Sequence, residues 1–590
     1  MAEFKTPGVY IQEISTLPAS IVPVATAIPA FIGYTRSRTR NGTTFGPNIP
    51  IRISSYLEYL EIFGESFYEL YQITITDGPN FNVTDPASFS QYLMTYQVYL
   101  YFANGGGPCW IVSVGSYVTT PTGDDIDVAD LLNGLKALEE EDEPTLLVVP
   151  EAAQLSNINR KSLHDQILAQ CAKLQDRFAI FDALHYNGNT VEQDGAAFRA
   201  EVGTSDLKYC AAYYPGMETI LYRNFNPNAL TITDNRGGAG AGPFHQKTLA
   251  EIGNGQAFAT GRITISDNDD IDDDSFNIAG LVATEGTEFT KGAGVATTAG
   301  ALEAFLDGQS DLPFTYQRNA GVISLTAKAA GEAGASLVLT YTPTGAAGGS
   351  VSGSGTFSWS APDKTLYNSI LSFLKSKLMT LYPSASMAGI YARVDSQRGV
   401  WKAPANVDVR SINRPAIPVS HEDQGLLNVD ATSGKSINAI RFFSGKGNLV
   451  WGARTLAGND NEWRYVPVRR LFIFIEESIK KATEFVVFEP NDANTWLRVK
   501  TMCENFLSNL WREGALAGAK AEEAFFVRVG LGQTMTALDI LEGRMNVEIG
   551  LAAVRPAEFI ILKFLHPLQQ WKLPFRHLSA ILISPGLRMD

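Results

Sequence analysis

YVPVRRLFIFIEESIKKAT, residues 465–483, decides how the last quarter of the chain reads. Leu471, Phe472, Ile475, Ile479 and Ala482 recur at helical spacing. Glu476 with Lys480 and Glu477 with Lys481 fall four apart, so the spacing predicts an amphipathic helix over about 470–482 with a salt-bridged outer face. Pro490, Asn491 and Asp492 then supply a break and an N-cap. Trp496, Val499, Cys503, Phe506, Leu507 and Leu510 predict a second helix, which Gly514 ends. Three β-rich runs follow, Phe525–Val529, Met545–Val554 and Phe559–Phe564, divided by a glycine-containing loop and by Pro556. Leu449–Pro567 therefore reads as a compact α+β unit.

Upstream of it lies a regular alternation. A helix carrying Leu131, Leu135 and Leu138 precedes a strand at 145–149; a helix carrying Leu163, Ile167, Cys171 and Leu174 precedes a strand at 178–181, and another strand is expected over 207–213. Apolar strands between amphipathic helices imply a parallel sheet covered on both faces. The pattern resumes with a helix carrying Leu366, Ile370, Leu374 and Leu378 and a strand at 389–394. Before it, 56–63 and 91–103 read as helices. Asn104 and Gly105–Pro108 end the second and lead into a strand at 109–114.

The stretch that interrupts the alternation, 223–360, is rich in Gly, Ala, Thr and Ser. Its short β-prone runs at 262–265, 321–326, 336–341 and 356–359 suggest a small β-rich insertion on the surface, with one helix over 298–306. Residues 1–30, punctuated by Pro7, Pro18, Pro23 and Pro29, have too little apolar surface to fold alone. They read either as a flexible leader or as an arm that adds a strand to an open sheet edge.

Composition bounds the function. A chain of 590 residues with 45% hydrophobic and 11% aromatic content supports several folded domains. A formal charge of -15 argues against nucleic acid as a main partner. Cys109, Cys171, Cys210 and Cys503 are scattered, as buried thiols in a reducing cell would be. Glu3, Lys5 and Pro7 interrupt any signal-peptide pattern, and no apolar run reaches the roughly 18 residues of a spanning helix, so synthesis in the cytoplasm without membrane insertion is expected.

Constellations that carry chemistry fall short one by one. The acidic run Asp267, Asp269, Asp270, Asp272, Asp273 and Asp274 lacks the glycine and glutamate of a Ca²⁺ loop. Ser433, Gly434, Lys435 and Ser436 end like a phosphate-binding loop, but Val429 stands where its first glycine should be. His164, His185, His245, His421, His566 and His577 are dispersed, and there is no GxSxG elbow. The expectation is no catalytic residue, no cofactor and no metal.

LVWGARTL from Leu449, YVPVRRLFIFIEESI from Tyr465, VFEPND from Val487 and RMNVEIGLAAVRPAEFIIL from Arg544 together resemble the C-terminal domain of contractile tail sheath proteins, found in contractile phage tails, pyocin-like particles and contractile injection systems. TPGVYIQEI from Thr6, MAGIYARVD from Met387 and RGVWKAPAN from Arg398 are similar to that family's opening arm and central domain. The resemblance implies an α/β and α+β multidomain chain: an extended arm at 1–30, an α/β region at 31–118, a subtilisin-like central domain split into 119–222 and 361–420, the insertion at 223–360, a C-terminal core at 421–570 and a C-terminal strand arm at 571–590. It implies a non-enzymatic subunit that polymerises into stacked rings around an inner tube protein, contacts baseplate and terminal cap proteins, and contracts to drive the tube through a target envelope. Ile11, Ile14, Ile21, Val22 and Val24 in the leader, and Leu573, Leu578, Ile581, Ile583 and Leu587 in the tail, would be the strands exchanged between copies. The alternative is that the insertion recognises a receptor on a cell envelope. The choice between a phage virion tail and an injection particle stays open.

Overall fold

The computed structural model describes residues 21–239, 244–254, 258–330, 332–351, 357 and 362–561. Its centre is a nine-stranded sheet in the order Val407–Asp408, Gly447–Val450, Ile437–Phe443, Cys210–Tyr214, Phe178–Asp182, Leu146–Val148, Pro29–Thr35, Cys109–Ser116, Pro50–Ile53. The six strands from Ile437–Phe443 to Cys109–Ser116 pair in parallel. Antiparallel strands close the order on both sides. Ala30, Phe31 and Ile32 are fully buried, which explains why this strand reads as continuously apolar rather than alternating.

Successive residues of that strand show which helix covers which face. The ring of Phe31 meets Tyr101 at 5.3 Å, placing Met94–Ala103 on one face. Ile32 lies against Gly134, where an added Cβ would meet Ile32 Cγ2 at 2.7 Å, placing Val128–Ala137 on the other. Asn157–Leu174 packs beside the latter, Gln170 donating to the Leu135 carbonyl at 2.7 Å.

The segment expected as a strand at 389–394 is instead inside the helix Ser384–Arg398. Its residues from Ser384 to Tyr391 are all buried, because the helix packs against both the sheet and its neighbour Met94–Ala103, so no polar face remains there to reveal its period. Gly389 permits that contact, since a Cβ there would stand 2.4 Å from the Tyr101 carbonyl oxygen.

Four further apolar clusters surround this core, the smallest made by Leu93, Tyr96, Leu100, Met379 and Leu381. Tyr71, Ile73 and Ile75 pack with Ile232, Leu249 and Ile252 and with Leu366, Ile370 and Leu374 of the helix Lys364–Ser376. Inside 223–360, a separate cluster runs from Ala259 to Phe357. A four-stranded and a three-stranded sheet with the helix Val295–Asp307 build it. Of the expected 356–359 run only Phe357 is described, buried and donating to Leu337 O. The last cluster is C-terminal: Val466–Thr483 and Ala493–Arg512 face each other through Leu471, Ile475, Val499, Cys503, Phe506 and Leu507. Lys480 and Lys481 both pair with Glu477, at 3.2 and 3.4 Å, while Glu476 takes Arg469 at 2.6 Å rather than the expected Lys480.

Candidate subunit-contact surfaces

In the C-terminal cluster a short sheet and an apolar groove lie side by side. After the second helix, Phe525–Arg528 and Glu548–Leu551 form a two-stranded antiparallel sheet, Val527 opposite Ile549. This is shorter than the expected runs: 559–561 belong to no strand, and 562–564 lie outside the described residues. Two strands are marginal by themselves, and among the described residues no other strand pairs with either of their edges. The sheet stands against the helices through Val527, Phe525, Ile549 and Leu551.

Beside it runs a groove of about 680 Å³, lined by Ile479, Val486, Val499, Met545, Val547 and Ile549 among others. At its rim Val487 and Phe488 are exposed, and Phe488 holds a left-handed backbone, φ 70°. Asp492 closes the start of the second helix by accepting from Asn494 N and Thr495 N, both at 3.0 Å.

The leader's described part crosses from this cluster to the central sheet. Ile21 is buried among the C-terminal helices, Val24 N donates to Ser478 Oγ at 3.1 Å, and Ile28 N donates to Thr145 Oγ1 at 2.9 Å just before the core strand begins. Val22 points to solvent. Ile21 and Val24 thus rest on their own chain, while Ile11, Ile14, Leu573, Leu578, Ile581, Ile583 and Leu587 lie outside the described residues.

Toward the C-terminal side, the chain is held three residues before the described residues stop. Glu558 accepts from Arg454 at 2.6, 3.0 and 3.1 Å, from Asn428 Nδ2 at 2.8 Å and from Tyr465 OH at 3.1 Å. Burial disfavours its ionisation, but the hydrogen bonds from Arg454 and Asn428 outweigh that and hold the carboxyl below its usual range. Past it, Phe559, Ile560 and Ile561 stand exposed beside a groove of about 570 Å³ that Trp451, Tyr465, His421 and Val429 help to line.

The enzyme-like residues are used structurally. Lys435 Nζ donates to the carbonyls of Arg199 and Val202 at 2.6 Å each, closing the end of the helix Val191–Glu201, so it is committed where a phosphate-binding lysine would be free. His185 Nδ1 lies 2.6 Å from Asp194, which also accepts from Tyr214 OH, Asn189 Nδ2 and Tyr186 N and so fixes the loop after the strand Phe178–Asp182. In the acidic loop, Asp274 is buried and accepts from Tyr341 OH and Thr344 N, and Asp272 pairs with Lys291. Among the described residues no cluster of His, Cys, Asp or Glu has the arrangement of a metal site, and no helix is long and apolar enough to cross a membrane.

Comparison with known proteins agrees with the resemblance read from the sequence. Residues 458–564 match the family described as phage tail sheath C-terminal domain. The tail sheath protein of Vibrio phage KVP40 is 26% identical over 130 residues, 22% of this chain and 19% of that protein. The tail sheath protein of Enterobacteria phage T4 is 25% identical over 127 residues, 21% of this chain and 18% of that protein. The chain's match thus spans about a fifth of the length of these two relatives. Among solved structures, a chain of the contracted PVC sheath complex of an extracellular contractile injection system shares 27% identity over 97% of this chain and 100% of its own, with a TM-score of 0.51. The contracted helical sheath of the anti-feeding prophage shares 26% over 95% and 99%, also at 0.51.

Proposed function

We propose, for a chain whose residues 458–564 carry a tail sheath C-terminal domain, that it is the structural subunit of a contractile sheath. Copies polymerise as stacked rings around an inner tube protein, bounded by baseplate and cap proteins, and shorten together to drive the tube through a target envelope. The observation that carries this is likeness to a contracted injection-system sheath along 97% of the chain at 27% identity. Receptor recognition by the insertion draws no support from these relatives.

The physics of such a polymer agrees with the surfaces described. An open helix of subunits needs heterologous contacts, one patch meeting a different patch on the next copy. The two-stranded sheet offers edges, and strand addition to an edge gives generic backbone affinity with side chains setting register. We assign 1–20 and 571–590 as the exchanged arms, with Ile11, Ile14, Leu573, Leu578, Ile581, Ile583 and Leu587 as their apolar positions; Ile21 and Val24 form the root of the first arm. We read the parallel sheet as the core of the subtilisin-like central domain; because its strands at 29–35, 109–116 and 437–443 lie outside 119–222 and 361–420, that domain reaches beyond those bounds on both sides, and of the 223–360 segment only the Ala259–Phe357 cluster is assigned to the outer surface. Energy for shortening lies in the difference between two lattice packings, so the subunit hydrolyses nothing.

Negative-stain electron microscopy of the purified full-length chain, alone and with its tube protein, tests this. Tubes of stacked rings are expected, and trimming 571–590 should leave a folded subunit that forms none. A full-length chain that stays monomeric in both conditions overturns the polymer reading, and tubes formed equally by the trimmed chain overturn the arm assignment.

A further inference from the structure

Two helices on one face of the central sheet begin without a capping side chain of their own. Met94–Ala103 is preceded by Leu93 and Ser384–Arg398 by Pro383, neither of which can accept a hydrogen bond through its side chain. The sheet supplies the missing acceptors. Glu151, in the short 3₁₀ turn Pro150–Gln154 that follows the strand Leu146–Val148, presents Oε1 to Leu93 N at 3.0 Å and Met94 N at 2.9 Å. Asp182, the last residue of its strand, takes Ser384 N on Oδ1 at 2.8 Å and Ser384 Oγ on Oδ2 at 2.6 Å. The two helices touch each other at Gly389 and Tyr101, so both caps serve one layer.

These carboxyls sit where an anion has no cation to meet it. Glu151 is fully buried, and its Oε2 has no hydrogen-bond partner among the described residues. The titratable groups facing it are the phenols of Tyr59, Tyr92 and Tyr117, each kept un-ionised by burial. Around Asp182 stand Tyr382, also raised by burial, and, across a small cavity, Arg160 and His164. Arg160 is engaged by Glu201 at 2.6 and 2.8 Å, and burial strips His164 of its proton, holding it at about 3.

We propose that Glu151 and Asp182 are proton-linked caps: each holds its helix start as a neutral acid, and loss of that proton loosens the two-helix layer from the sheet. In the acid form Glu151 Oε1 still accepts from both amides, and the proton resides on the unpartnered Oε2. Asp182 in the same form donates from Oδ2 to Ser384 Oγ, reversing that bond. Desolvation pushes Glu151 up to about 8, against the backbone amides that lower it, and Asp182 up to about 7, against Ser384. Both exceed the usual carboxyl range, so the folded state holds more protons than the unfolded chain. Stability from these groups is full below the unfolded carboxyl range and is lost as pH rises through the folded values, each group raising the unfolding constant by up to about tenfold per pH unit in between.

The window from about pH 6.5 to 7.5 separates them, because it starts at the ordinary histidine range, above which His164 contributes no further change, and ends below the range in which an unfolded cysteine thiol ionises, where the buried Cys109, Cys171, Cys210 and Cys503 would add a slope of their own. Denaturant unfolding of the full chain and amide-exchange protection at Leu93, Met94 and Ser384 should both weaken across that window. Glu151→Gln and Asp182→Asn keep the acceptor and replace the acid with a neutral amide, so their curves should stay flat and meet the wild type at the acid end. Curves for the variants that fall in parallel with the wild type overturn the proposal. If the variants fail to fold, pH-difference infrared spectroscopy of the wild-type chain decides it: a buried carboxylic acid band must bleach across the window, and its absence overturns the assignment.

Discussion

Arg470 and Asp395 form a two-pronged ion pair, with nitrogen–oxygen distances of 3.0 and 2.5 Å, in which both side chains are only 5% exposed. It ties the C-terminal helix Val466–Thr483 to the far end of Ser384–Arg398, whose start Asp182 holds. The guanidinium also lies over the Tyr391 ring at 4.6 Å, and Tyr391 OH meets Tyr213 OH at 2.7 Å. One helix therefore joins the central sheet to the unit that carries the two-stranded sheet.

Breaking this pair on one side leaves a buried charge unmatched. Asp395→Ala should destabilise the chain by about 3–5 kcal/mol, whereas Asp395→Leu with Arg470→Met should cost far less, because an apolar pair removes the desolvation penalty along with the attraction. Urea unfolding of the single and double variants reads the difference. Equal losses would mean that the charge pairing matters less than packing.

Gly33 in the core strand is fixed by a different constraint. A Cβ there would stand 2.1 Å from Glu151 Oε2, and Glu151 is held by Leu93 N and Met94 N, so it has nowhere to move. Gly33→Ala should cost about 1–3 kcal/mol by overpacking. Adding Glu151→Ala should cost less than the sum of the two single losses, a coupling that thermal or urea unfolding of the double-mutant cycle detects.

Much of this was legible beforehand and some was not, for physical reasons. The strands at 145–149, 178–181 and 109–114 stood out as apolar runs, and all fall in the central sheet. The helix Ser384–Arg398 did not, because burial on every side erases its period. The cluster joining Tyr71, Ile232 and Leu366 depends on contacts between segments far apart in sequence, which local pattern does not encode. For the sheet-borne caps a signal existed: helices starting after Leu93 and Pro383 lack their own acceptor, so another segment had to provide one. The proposed exchange residues left the least trace, since an arm that joins a neighbouring copy would have its partner on another molecule.

Glu558 should matter more to assembly than to folding. It fixes the chain just before the exposed Phe559, Ile560 and Ile561. Glu558→Ala should leave the circular dichroism spectrum unchanged and lower stability modestly, while tube formation in electron microscopy falls sharply. Because its carboxyl is held below the usual range, its contribution is present above the unfolded value and fades as pH drops through the folded one. Normal tubes from the variant would show that the exit direction is set elsewhere.

The insertion offers the cleanest test of modularity. Asp363 N donates to Ile252 O at 2.8 Å, so the segments entering and leaving the Ala259–Phe357 cluster are hydrogen-bonded side by side. A domain whose connections lie together can be removed without stretching its host. Its apolar side chains pack among themselves, whereas Leu249 and Ile252 belong to the cluster with Tyr71 and Leu366 and must be retained. Joining Asn254 to Pro362 through a short Gly-Ser link should therefore leave one cooperative melt, within a few degrees of the parent, and tubes of reduced outer diameter. Removal of all of 223–360 should be far more damaging, because it strips Phe225, Leu230, Ile232, Leu249 and Ile252 from a core they help to fill. Equal behaviour of the two deletions in a circular dichroism melt would contradict that division of the chain.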